Sequence, residues 1–297
     1  MIDALGEAVA GHVVERLLTR LGAALVFLVG GMLAWLSSHG GWARLVELGA
    51  QAEELPTLVV LAVVAGLLAA AFAAASVVRL LNRPVLRLLE GYWTWPLQPL
   101  RAWLVGRKAV RRAVLEAELR KFSSRGERAK QVPAEKRLHR MPAPRWMMPT
   151  RLGNVLRAAE TRPAEKYGLD AVVVWPHLWM VLPEQVRLDV GAARTALDRS
   201  TATLIWAVAF LPFGMWSLWA LAAGAVLTAW AVWLWIPYQA ARYADVLEAC
   251  YDMHRQTLYE RLRWPLPTDP DDERIQGEVL TTYLVRGLAG DAPRFVT

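Results

Sequence analysis

The stretch STATLIWAVAFLPFGMWSLWALAAGAVLTAWAVWLWIPYQAA, Ser200–Ala241, holds 42 consecutive residues without Asp, Glu, Lys, Arg or His, between Arg199 and Arg242. As one helix it would extend about 63 Å, twice the roughly 30 Å hydrocarbon core of a bilayer. Its length predicts a helical hairpin. The turn is expected near Pro212–Ser217, where Pro212 and Gly214 weaken a helix and Ser217 suits a headgroup setting. A single long buried helix of a soluble protein is the rival reading, and an uncharged run of this length weighs against it.

Outward from that run, the composition points the same way. The 297 residues are 55% hydrophobic and include 15 Trp, a share that shifts the expectation from a soluble domain to a membrane protein. Indole rings favour the headgroup level, where an apolar face and an N–H are both satisfied, and Trp206, Trp216, Trp219, Trp230, Trp233 and Trp235 cluster in the run. The single Cys250 excludes an intramolecular disulfide framework and a Cys-based metal site.

Two further uncharged runs lie upstream. Residues 1–20 space Ile2, Leu5, Val9, Val13 and Leu17 as an amphipathic helix; its acids Asp3, Glu7 and Glu15 and the lack of a clear small-residue cleavage site favour this over a signal peptide. Leu21–Leu36 is then a first span. Leu55–Val78 is a second, in which nine Leu, Val or Phe side chains between Leu58 and Phe72 contribute about 3–5 kcal/mol to insertion with no charge opposing. Small residues recur at Ala62, Gly66 and Ala70, and again at Ala220 and Gly224, spacings that let helices approach closely in lipid. Packing within the chain and self-association both use such faces.

Charge sets the orientation. The segment from Arg79 to Arg199 carries 24 Lys and Arg against 11 Asp and Glu, whereas the loops at 39–56 and 212–218 hold a single Lys or Arg between them, Arg44. Positive segments stay in the cytosol, so four spans place both termini inside. A helix over 99–122 pairs an apolar side, from Leu100 and Trp103 to Leu119 and Phe122, with Arg101, Arg107, Lys108, Arg111 and Arg112. These cations are candidates for binding anionic lipid headgroups, or are simply solvated. Residues 123–149, rich in Pro and mixed charge, read as a linker. Basic residues beside Trp146 raise nucleic acid as a ligand, but no nucleic-acid motif accompanies them and a juxtamembrane position accounts for the charge.

The run Met148-Pro149-Thr150-Arg151-Leu152-Gly153-Asn154, then Tyr167-Gly168-Leu169-Asp170 and Trp175-Pro176, resembles a block of bacterial multi-pass membrane proteins. The tail is similar to the same group, through Tyr251, Asp252, His254 and Arg255, Pro265-Leu266-Pro267, and Gly277, Tyr283, Leu284, Arg286 and Gly287. The resemblance covers about half the chain and implies an architecture, with no catalytic residues carried over. Physically, Thr150 is placed to cap a helix starting at Arg151, Gly168 suits a positive φ, and Trp175-Pro176 should interrupt a helix or make a corner. From Pro183 helical spacing continues into the third span, and from the fourth through His254 to Leu262. Pro270 with Asp271, Asp272 and Glu273 starts a last helix, closed near Gly287.

Signs of chemistry are sparse. The five histidines are scattered without metal-ligand spacing, and neither a phosphate-binding loop nor a nucleophile elbow is present, so no cofactor or metal is expected. Asp252, His254 and Arg255 form the one suggestive acid, imidazole and guanidinium grouping, although residues two apart on a helix point different ways. The acidic group Asp269, Asp271, Asp272 and Glu273 reads as charge at a helix N-terminus. Spans without ionisable residues argue against an ion-coupled transporter.

The expected fold is therefore an all-α integral membrane protein with four transmembrane helices in two hairpins and a helical cytosolic domain. Its segments are 1–20, 21–81 (first hairpin), 82–199 (basic domain), 200–241 (second hairpin) and 242–297 (helices packing on 82–199). The expected role is a non-enzymatic scaffold or effector of the bacterial cytoplasmic membrane, binding anionic lipid and either copies of itself or an operon-encoded protein, with a gated membrane-perturbing activity as one version. An enzyme acting on lipid or a lipid-linked substrate is the alternative.

Overall fold

The computed structural model describes residues 22–53 and 55–287. The helix expected over residues 1–20 lies outside them. All regular structure among the described residues is helical, and the chain divides into two compact units, Met1–Val85 with Arg199–Trp235 and Leu86–Asp198 with Ile236–Thr297.

In the first unit, α1 (described over Gly22–Ser38) and α2 (Gly41–Glu53) meet at a 112° bend. Gly40 and Gly41 supply it, at φ of 100° and 59°, values that side chains with a Cβ resist. Next comes α3 (Thr57–Glu90), whose apolar part exposes Leu58, Leu61, Val63, Leu67 and Phe72 on every side. Late in the chain the unit holds the end of α8 (Glu184–Phe210), a 3-10 turn at Leu211–Met215, α9 (Leu218–Trp230) and a π-helical turn at Ala231–Trp235.

Two helices are long and apolar enough to cross a membrane, α3 and the continuous helical run Leu218–Arg261; the bent α1–α2 pair, counted as one span, makes three. Four spans are not shown. The 42-residue run does not divide evenly, because the break at Leu211–Met215 leaves α8 only Ser200–Phe210 free of charge. That is a rise of about 16 Å, half a hydrocarbon core. After the break, Leu218–Ala241 rises about 36 Å before Arg242 ends the apolar stretch.

Aromatic rings fill notches in α1. A Cβ at Gly30 would lie 2.9 Å from the Phe210 ring and one at Gly31 2.6 Å from that of Phe213, while Phe27 sits 5.0 Å from Trp206. The small residues separate into two groups. Ala220 is fully buried, and a Cβ at Gly224 would be 2.9 Å from Leu211 and 3.3 Å from the Ala207 carbonyl. Ala62, Gly66 and Ala70 of α3 are exposed, with nothing within 4 Å of a Cβ at Gly66.

The second unit comprises α4 (Gln98–Ser124), α5 (Arg128–His139), a 3-10 turn at Pro144–Trp146, α6 (Arg151–Tyr167), α7 (Ala171–Val181), the first part of α8, α10 (Ile236–Arg261) and α11 (Pro270–Arg286). Its core joins Leu169, Val174, Leu178, Tyr251, Leu258 and Leu280, where α6 and α7 meet α10 and α11. Two sequence expectations are corrected here. The supposed linker at 123–149 contains α5, which packs on α4 and buries Ala134 despite Pro133. Trp175-Pro176 does not interrupt α7, which runs through it. A proline inside a helix costs about 3 kcal/mol. The fully buried Val174 and Leu178 on either side, and the Asp170 cap accepting from Val172 N at 2.8 Å, offset it.

Candidate functional site

The motif around residue 150 is built into the backbone. Thr150 Oγ1 accepts from Gly153 N and donates to the Glu90 carbonyl, both at 2.9 Å. Asn154, nearly fully buried, accepts from Met148 N and donates to the Met148 and Thr150 carbonyls, each at 2.8 Å. A Cβ at Gly153 would stand 1.9 Å from the Glu90 oxygen. The second half of the motif does the same work. Gly168 turns at φ 67°, and it and Gly277 let α6 and α11 touch backbone to backbone: their Cβ positions would lie 2.0 Å from the Arg274 oxygen and 1.8 Å from the Tyr167 oxygen.

Beside these contacts lies a polar cluster that joins α6, α10 and α11. Arg162 and Lys166, one turn apart on α6, face Glu248 and Asp252, one turn apart on α10. Lys166 Nζ is 2.6 Å from Glu248 Oε1 and 3.4 Å from Asp252; Arg162 Nη1 donates to Glu248 Oε2, and His139 Nε2 is 3.0 Å from the same oxygen. Tyr167 donates its hydroxyl to Asp252 Oδ1 at 2.6 Å, and the Arg255 guanidinium lies 4.2 Å over the Tyr167 ring while its Nε reaches Glu273 at 2.6 Å.

The electrostatics follow from these partners. Burial alone would push the Glu248 carboxyl up, but the hydrogen bonds and charges of Lys166 and Arg162, with His139, hold it below the ordinary carboxylate value. Burial, then the bond to Asp252, pushes the Tyr167 phenol up to about 12. Both Glu248 oxygens are occupied by cations, so this cluster clamps α6 to α10 and offers no free base.

The grouping Asp252, His254 and Arg255 is not brought together as an acid–base unit. Asp252 serves Tyr167 and Lys166, Arg255 serves Glu273 and the Asp252 carbonyl, and the His254 side chain makes no hydrogen bond or ion pair among the described residues. Among those residues, no group of three or more His, Cys, Asp or Glu converges on a metal-sized position.

Helix α4 differs from this saturated interior. Arg112 is withdrawn into structure, its Nε 2.7 Å from Glu116 and its Nη1 2.6 Å from the Met141 and Pro142 carbonyls. Arg101 is half-buried, without an ion pair among the described residues. Leu104, Leu115 and Leu119 turn inward, while Leu100, Trp103, Val110 and Val114 are exposed. The apolar and basic residues are therefore interspersed on the exposed side, contrary to the opposite faces expected from the sequence. Arg107 stacks on Trp103 at 4.7 Å, within the exposed strip. Burial and the charges of Arg111, Arg151 and Arg107 hold Lys108 below the ordinary lysine value.

No protein-family model matches the chain, and neither a curated protein nor a solved structure matches it. The site is thus read from its own residues. Sequence reasoning missed the Arg162–Glu248 clamp and the buried Asn154. A signal was present, since Arg162 and Lys166 on one helix and Glu248 and Asp252 on another repeat at four residues, with opposite sign.

Proposed function

We propose that this chain is an integral protein of the bacterial cytoplasmic membrane whose helical second unit, on the cytosolic side, is a scaffold for self-assembly or for a protein partner. The observation that carries this reading is α3: a helix apolar on all faces and covered by almost nothing in its own chain needs lipid or another apolar helix around it. The second unit supports the non-enzymatic part, because its Glu248 and Asp252 carboxylates are held by cations and a tyrosine.

In this reading the chain passes the bilayer four times with both termini inside. The third pass is short: Ser200–Phe210 adds about 16 Å and the five-residue 3-10 turn about 10 Å, close enough to a hydrocarbon core for local thinning to accommodate. The test is extraction followed by capture. Alkaline carbonate should leave the protein in the membrane, and crosslinking in cells should trap a multimer or a defined partner. Release by carbonate, or a protein that stays monomeric and captures nothing, would count decisively against the proposal.

A further inference from the structure

We infer that the outward face of α4, extended by Arg151 at the start of α6, docks on the anionic surface of a lipid bilayer. This rests on the membrane reading above and adds to it a lipid-selective contact made by the second unit.

Three observations carry it. At about 100° per residue, Leu100, Trp103, Arg107, Val110, Arg111 and Val114 fall within a single sector of α4 about 100° wide. The four apolar members are all exposed, Val110 at 65% and Trp103 at 56%, so the sector is not a core face of this unit. Next, Arg107, Lys108, Arg111 and Arg151 make no ion pair among the described residues, whereas neighbouring Arg112 and Arg157 are paired with Glu116 and Glu160. Lys108, held below the ordinary lysine value first by burial and then by the charges of Arg111, Arg151 and Arg107, marks these four cations as close neighbours.

The chemistry selects the occupant. Nucleic acid would reward the cations but not exposed Val110 and Val114; an apolar partner helix would reward the valines and leave the arginines to be desolvated. An anionic bilayer takes both, with the apolar side chains entering the headgroup boundary, the indole at the interface and the guanidinium groups on phosphates. The sequence places this face soon after a lipid-length run, since the uncharged stretch ends at Val78 and the sector begins at Leu100.

The test uses the full chain in nanodiscs, with Val110→Cys carrying an environment-sensitive fluorophore. The discs contain phosphatidylcholine alone or an equal mixture with phosphatidylglycerol. Docking predicts a blue shift and quenching by nitroxide-bearing lipids in the mixed discs, both lost in phosphatidylcholine and in the Arg107→Glu/Arg111→Glu variant. A label that stays in water in both discs, or responds equally in both, overturns the proposal. So does shielding that depends on a second labelled copy rather than on lipid. A control label at Leu61→Cys should be quenched in both discs; if it is not, the membrane reading fails and not this contact alone.

Discussion

Glu248 is the residue on which most of the second unit's polar order converges, with Arg162, Lys166 and His139 all on its carboxylate. Its side chain is 12% exposed and that of Arg162 13%, so removing the charge strands the Arg162 guanidinium in a poorly hydrated place. Glu248→Gln should cost about 3 kcal/mol, read as a lower thermal unfolding midpoint in detergent. The pH dependence has a definite sign. The folded carboxyl holds its proton more weakly than the ordinary value of 4.5, so the contribution is complete above that pH and is lost as pH falls through the lower folded value. The acid limb of the stability curve should therefore be shallower in Glu248→Gln, and an unchanged limb would assign acid unfolding to other groups. Glycines give a second comparison. Gly277→Ala places a Cβ 1.8 Å from the Tyr167 oxygen, a backbone atom with little room to yield, and should destabilise by about 3 kcal/mol. Gly106→Ala, in α4 with open space around it, should instead stabilise by up to about 1 kcal/mol. Thr150 and Gly168 were readable from the sequence only for the local half of their roles, a helix cap and a turn at positive φ. Glu248 and Gly277 act through partners more than eighty residues away, which no local pattern reveals.

At the scale of elements, helix ends were legible and helix interiors with proline were not. Caps and stops are chemistry between near neighbours, as at Thr150, Asp269 and Gly287. Pro133 and Pro176 read as breaks because their cost is local, whereas the packing that offsets it comes from other helices. The same division governs α4. Its periodicity identified a helix with apolar and basic residues, but only the fold shows that Leu104 and Leu115 turn inward while Trp103 and Val110 do not. Small-residue spacing is equally ambiguous until partners are visible. Gly224→Leu should weaken the fold, since its Cβ site is already filled by Leu211 and faces the Ala207 carbonyl. Gly66→Leu should leave single-chain stability in detergent within about 0.5 kcal/mol. Equal losses in the two variants would mean that α3 is packed by its own chain after all.

For the whole molecule, the sequence indicated an all-helical membrane protein, and the structure supports that class with two or three helices of spanning length. The number of passes was less legible, because charge-free length measures apolar content and not where a helix breaks. The proposed topology makes a direct prediction for cysteines introduced singly and probed with an impermeant maleimide on intact cells. Val46→Cys and Met215→Cys should react from outside, whereas Ala134→Ser/Glu135→Cys should react only after the membrane is opened. Reaction of the 46 position alone would put an odd number of crossings between it and residue 215.

The backbone contact between Gly168 and Gly277 also sets a clock. The second unit's core needs α11, which is encoded after both late apolar helices, so Leu169, Val174 and Leu178 cannot find Leu280 until α11 has been made. At about 5–20 residues per second, the interval between making the two glycines is roughly 5–20 s. Throughout that interval the nascent chain exposes an unclosed apolar face at the site of synthesis, a demand on chaperoning set by α11 and not by the apolar helices.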